Sequence, residues 1–256
     1  MTARRLLFLS SVTVVAFLWA PIAVLVVLSF NAGRNAAIWE GPSISWYGTL
    51  LRDAPLLASV ARSAIVAAVS TLCSTILGTM AALALARHPF RAKGATTAAL
   101  YLPILVPEVV VGAALLSFFA ALSLRLSLLT VLSAHVVFSV SYVTFVVRAR
   151  LAGLDPSLAD AARDLGAGPF DAFRRVTLPL IAPGVLSGAL LAFTVSLDDY
   201  VITSFVAGPG STTLPVHIAG MLKVGVTPEV NAVSTLLLAA TIVLILGARR
   251  TMRGDA

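Results

Sequence analysis

The sequence predicts an all-α membrane protein, and three observations carry that prediction. Of its 256 residues, 59% are hydrophobic and only 11% are charged, with a mean hydropathy of +1.00. A soluble domain averages about 45–50% apolar and about 25% charged residues. Apolar stretches of roughly 18 residues or more are long enough to span a bilayer. Six occur, at about 6–30, 59–86, 96–122, 128–147, 181–206 and 229–248. The basic residues fall in short clusters between these stretches and lack interleaved aromatics. The net charge of +7 therefore marks membrane topology and not a nucleic-acid surface.

The first span follows "MTARR", which looks like the basic start of a signal peptide. Its apolar run exceeds the roughly 7–15 residues of a signal core, and we expect a retained helix. Loop charges set the orientation. With the N-terminus inside, Arg4, Arg5, Arg87, Arg91, Lys93, Arg148, Arg150, Arg163, Arg174, Arg175, Arg249, Arg250 and Arg253 are cytoplasmic. Arg34, Arg52, Arg62, Arg125 and Lys223 are then outside, so 13 of the 18 Lys and Arg residues lie inside. Both termini are expected in the cytoplasm of a multi-pass inner-membrane protein.

The outer segment 31–58 carries Trp39, Trp46 and Tyr47, as interfacial segments do. Segment 207–228 is rich in Gly, Pro and Thr, with a short helix expected between its turns. The expected organisation is a first helix and outer segment over 1–58, then a five-span core over 59–250 with a cytoplasmic loop at 155–179. "LPILVPE" from Leu102 and "LPLIAPG" from Leu178 share L-P-x-x-x-P where the chain enters the membrane. Such a proline pair starts or kinks a helix, because each proline lacks an amide hydrogen. Chance in a proline-tolerant membrane chain is the alternative.

The loop "DPSLADAARDLGAGPFDAFRRVTLPL", Asp155 to Leu180, is the longest polar run in the chain. Asp155 suits an N-cap, Pro156 a first helical residue and Gly166 a C-terminal stop, framing about ten helical residues. Leu158, Ala161, Ala162 and Leu165 form one apolar stripe. Gly168-Pro169 opens a second short helix bearing Phe170 and Phe173. A lone helix this short is marginal in water. It packs either on the ends of its own membrane helices or in a groove of another protein.

"DAARDLG" from Asp160 to Gly166, nine residues, then "VTLP" from Val176 to Pro179, resembles the E-A-A-x-x-x-G-x9-I-x-L-P loop. That loop belongs to permease subunits of binding-protein-dependent ATP-binding-cassette importers. Asp160 replaces the family's Glu and shortens the acidic arm by one methylene; Val176 replaces Ile. The resemblance implies an ABC importer permease fold of six transmembrane helices. It makes Asp160, Ala161, Ala162, Gly166, Leu178 and Pro179 the ATPase-coupling loop. It also implies a second permease subunit, two ATP-binding subunits and an extracytoplasmic solute-binding protein, the last docking at 31–58 and 207–228. "SLDDYVITSFVAGPGSTTLPVHIAGMLKVGVTPEVNAVSTLLL", "YLPILVPEVVVGAALL" and "ISWYGTLLRD" resemble the second membrane subunit of spermidine/putrescine importers. The cargo this implies is a polyamine; another amine, an opine or ferric ion on the same fold is the alternative.

Three acids, Glu108, Asp198 and Asp199, fall inside predicted spans. An Asp at a helix centre costs about 2.5–3.5 kcal/mol on insertion scales, so such acids mark a water-filled path or a functional site. We expect Glu108 and Asp199 to face a path for a cationic substrate, with Tyr200 giving a cation–π face. Asp198, about 100° away on the same helix, cannot face it squarely as well. The competing reading has the Asp pair capping a helix or pairing with Arg125 or Lys223 near the outer interface.

His135 and Ser139 lie one turn apart, but no G-x-S-x-G nucleophile elbow is present, and a helix–helix hydrogen bond is the simpler role. His88 and His217 fall on opposite sides, Cys73 is the single cysteine, and no metal or other cofactor is expected. No G-x-x-x-x-G-K-[ST] phosphate loop is present, so ATP hydrolysis would reside in a separate subunit and this chain is not an enzyme. A proton-coupled carrier, with the acids as relays, is the rival from another class; it needs no ATPase dock.

Overall fold

The computed structural model describes residues 3–35, 38–155, 157–225 and 227–253, and no strand occurs among them. Contacts divide the chain into two units, one of residues within 1–58 and 217–251, the other within 59–216. In the first unit, α1 (Ala3–Leu28) is a 26-residue helix with Pro21 inside it. Its spanning window has no buried share within the protein, so its apolar surface requires lipid or another chain. Ser10, Ser11 and Thr13 satisfy their hydroxyls by donating to carbonyls of Leu7 and Leu9 on the same helix.

Asn31 then organises a tight loop. Its buried amide donates to the carbonyls of Asn35 and Ile38 and accepts from the amides of Gly33 and Glu40. Trp46 Nε1, on the short helix α2 (Ser45–Leu50), donates to Asn31 O at 2.9 Å and ties that helix to the loop. The same unit contains most of α11 (Leu214–Val224), the short helix expected in segment 207–228, and α12 (Pro228–Arg253). The expected positions of the Arg249, Arg250 and Arg253 side chains lie outside the described residues.

In the second unit, α3 (Ala54–Arg87), α6 (Leu128–Ala152) and α9 (Leu178–Asp198) pack through small residues. A Cβ on Gly78 would lie 2.7 Å from Val143 Cβ, and one on Gly188 would lie 3.3 Å from Val143 Cα. Val143 is thus wedged between two glycines on different helices. Close backbone approach of this kind drives helix association in lipid, where apolar side chains gain little from meeting each other. Ala82, Val147 and Ala192 complete this core, and Val66, Phe119, Val131, Phe138, Ile202 and Val206 form a second one.

Two of the predicted spans are not single helices. The third, 96–122, breaks into α4 (Lys93–Leu105) and α5 (Glu108–Ala121), bent by 114°. Pro107 drives Val106 to extended backbone and removes an amide hydrogen, so the chain cannot continue helically there. The fifth, 181–206, ends at Asp198 and resumes as α10 (Val201–Val206). Among the described residues, four helices are long and apolar enough to cross a membrane, and the bent pair makes a fifth. The apolar described part of α12, Pro228–Val243, covers most of the expected sixth span.

Candidate functional site

The loop begins where Asp155 Oδ1 accepts from the Ser157 amide at 2.9 Å and the Ser157 hydroxyl at 2.7 Å. These bonds satisfy orphan donors at a helix start. The Ser157 hydroxyl first, then its amide, hold the Asp155 carboxyl below its ordinary pKa. The helix that follows, α7 (Ser157–Asp164), has eight described residues, shorter than the expected ten; Pro156 lies outside the described residues. Gly166 stops it with φ +91°. The Gly166 amide donates to Arg163 O and the Ala167 amide to Ala162 O, the paired closure of a left-handed C-terminal cap.

The apolar stripe of α7 is not covered by the chain's own helices. Leu165 is 91% exposed and Leu158 43%, and Ala161 is exposed as well, while Ala162 is half-buried. Phe170 follows at 70% exposure. Asp160 is exposed, with Arg163 Nη1 3.8 Å away on the same helix, a surface pair that adds little stability. Behind the loop lies a cavity of about 800 Å³ bordered by Arg87, Lys93, Arg148, Leu151, Asp160 and Val176, among others.

The second loop helix is not a separate element. α8 (Pro169–Ala172) runs through a π turn, Phe173–Thr177, directly into α9. Pro179 brings no amide hydrogen near the start of α9, and just before it the spacing widens, with the Leu178 amide donating to Phe173 O. Leu178 and Pro179 are both exposed. Pro183 stays inside the helix without breaking it, in contrast to Pro107. The result is one continuous 30-residue rod, Pro169–Asp198, about 45 Å long at 1.5 Å per residue.

That rod ends at Asp198. Glu108 and the Asp pair do not sit at helix centres; each stands at a helix break. Glu108 is exposed in the first turn of α5, where the N-terminal partial charge favours a carboxylate. Asp198 and Tyr200 are exposed, and Asp199 between them is only 8% exposed. Asp199 caps α10: Oδ1 accepts from the Ile202 amide at 3.2 Å, and Oδ2 from the Thr203 amide at 2.8 Å and hydroxyl at 2.7 Å. His135 Nε2 stands 3.4 Å from Oδ2.

His135 makes helix–helix hydrogen bonds, but to Ser196 and Thr203 and not to Ser139. These partners are 61 and 68 residues away along the chain, and no local pattern ties them to His135. The Asp199 cap is what the competing reading of the Asp pair expects for one of its members, since Asp before a short apolar helix is a preferred N-cap. Pro107 before Glu108 is the equivalent signal for the other break. Among the described residues, no group of three or more His, Cys, Asp or Glu side chains is arranged to hold a metal.

A bundle of long apolar helices, two helix breaks bearing acids and an uncovered apolar loop on the end of one rod together define a polytopic membrane permease subunit. The chain belongs to the family of binding-protein-dependent transport system inner membrane components, whose model matches residues 74–251. It is 44% identical over 231 residues to the putrescine transport system permease protein PotI of Escherichia coli K12, covering 88% of this chain and 82% of that protein. It is 38% identical over 238 residues to the spermidine/putrescine transport system permease protein PotC of the same organism, covering 93% and 90%. Its fold matches a bacterial ABC transporter involved in import of the acidic polysaccharide alginate, with TM-score 0.78, 15% identity and coverage of 98% and 94%. The chain is a permease subunit of an ABC importer.

Proposed function

We propose that this subunit imports polyamines such as putrescine and spermidine, working beside a second permease subunit. Two ATP-binding subunits supply the hydrolysis, and an extracytoplasmic binding protein delivers the cargo. The loop 155–179 is cytoplasmic, as are both termini; the 13 basic residues on that side support this orientation. The observation that carries the reading is the continuous rod Pro169–Asp198, with the exposed Phe170 at one end and the exposed Asp198 at the other. An ATPase that grips Leu165 and Phe170 and closes on ATP would move the acidic break through a stiff helix.

At the two helix breaks, carboxylates replace the water that an organic dication must shed. Glu108 and Asp198 are the exposed acids that can do so, and Tyr200 offers an aromatic face to an ammonium group. Labelled uptake into cells lacking their own polyamine importers, expressing this chain with its operon partners, tests the reading. Putrescine and spermidine uptake that disappears with Gly166→Pro is expected. Uptake of ferric ion or an opine instead would discard the polyamine, and uncoupler-sensitive uptake indifferent to the loop would discard the ATP-driven mechanism.

A further inference from the structure

Four helices meet at one buried hydrogen-bonded chain: Ser70 on α3, Ser196 on α9, His135 on α6 and Thr203 on α10, ending at Asp199. Ser70, His135, Ser196 and Thr203 are all at most 4% exposed. Counting protons fixes the direction of the bonds. Thr203 has one hydroxyl proton and donates it to Asp199 Oδ2 at 2.7 Å. Its 2.9 Å contact with His135 Nε2 must therefore be a bond that the ring donates. On the other side of the ring, Nδ1 lies 2.7 Å from the Ser196 hydroxyl, which lies 3.1 Å from that of Ser70. The two side-chain donors nearest the carboxylate, His135 Nε2 and the Thr203 hydroxyl, both point toward it.

From this geometry we infer that His135 is a positioning residue for transport, acting through Asp199. A carboxylate this buried is costly unless donors surround it. Thr203 and Ile202 supply three bonds from α10 itself. His135, on a different helix, donates to the Thr203 hydroxyl that binds the carboxylate and stands 3.4 Å from Oδ2 itself, and so ties the α9–α10 break to α6. Asp199 is thereby committed to the protein. Its neighbours Asp198 and Tyr200, turned outward by the extended backbone at Asp199 (ψ 117°), are the groups offered to cargo. The inference rests on the cargo-path reading of this break for its consequence in transport, but the linkage of His135 to Asp199 does not depend on it.

The test uses the assembled transporter with its partner subunits. His135→Gln keeps a donor near the Nε2 position, His135→Asn places its amide only near Nδ1, and His135→Phe keeps ring volume with no donor. Putrescine uptake within about threefold of wild type is expected for His135→Gln, with a fall of tenfold or more for the other two. A packing role alone would spare His135→Phe over His135→Gln, and that order would overturn the inference. A thermal double-mutant cycle with Asp199→Asn supplies the readout that needs no cargo. His135→Phe should lower the melting midpoint of the purified complex when Asp199 is intact and leave it nearly unchanged in the Asp199→Asn background. Equal decrements in both backgrounds would sink the inference even if polyamine uptake is confirmed. A coupled cycle without putrescine uptake would instead keep the linkage and remove the cargo.

Discussion

Arg87 Nη2 donates to Thr177 Oγ1 at 2.6 Å, joining the last residue of α3 to the π turn that links the loop to α9. Thr177 is buried, and a hydrogen bond from a charged donor to such a group contributes about 1.5–3 kcal/mol. The bond holds the widened turn between the docking loop and the membrane part of the rod.

Thr177→Val should therefore lower the melting midpoint and cut uptake severalfold, while Thr177→Ser retains both. ATPase activity that persists in the Val variant while uptake falls would place the defect in transmission through the rod. Uptake equal to wild type in Thr177→Val would show that the π turn needs no such anchor.

The exposed apolar residues of the loop predict a separation between folding and assembly. Leu165→Asp and Phe170→Asp change side chains that touch almost nothing in this chain, so the thermal midpoint of the isolated subunit should stay within a degree or two. Co-purification of the ATP-binding subunits should fall at least tenfold. Gly166→Ala differs: it forces a Cβ into φ +91°, at a cost of about 1–2 kcal/mol, and should fray the cap of α7.

Val143 between Gly78 and Gly188 predicts an overpacking penalty with a specific rescue. Gly78→Ala places a Cβ 2.7 Å from Val143 Cβ and should cost about 1–3 kcal/mol in the folded subunit. Val143→Ala in the same chain should recover a large part of that loss, read as recovery of the melting midpoint.

The exposed acids predict altered binding with intact assembly. Asp198→Asn and Glu108→Gln should each raise the KM for putrescine uptake fivefold or more, with normal amounts of assembled transporter. Both changes together should weaken a dication more than a monoamine of the same length, because two carboxylates are lost. An unchanged KM in both single variants would remove these acids from the cargo path.

The helical membrane class, the apolar periodicity and the loop were legible in the chain alone. Hydropathy is a sum over neighbours in the chain, and lipid enforces it span by span. The spacing from Asp155 to Gly166 was also local, since N-caps and left-handed glycine stops act within one turn. An average over some eighteen residues could not register two-residue breaks, so 96–122 and 181–206 read as single spans, although the proline pair already pointed to a kink and the competing reading of the Asp pair to a cap. That Asp199 turns inward to His135 while Asp198 stays exposed came from the packed fold, because that choice depends on which helices meet at the break. So did the exposure of Leu165 and Phe170, since the stripe of α7 fits a self-packed helix and a docking helix equally well.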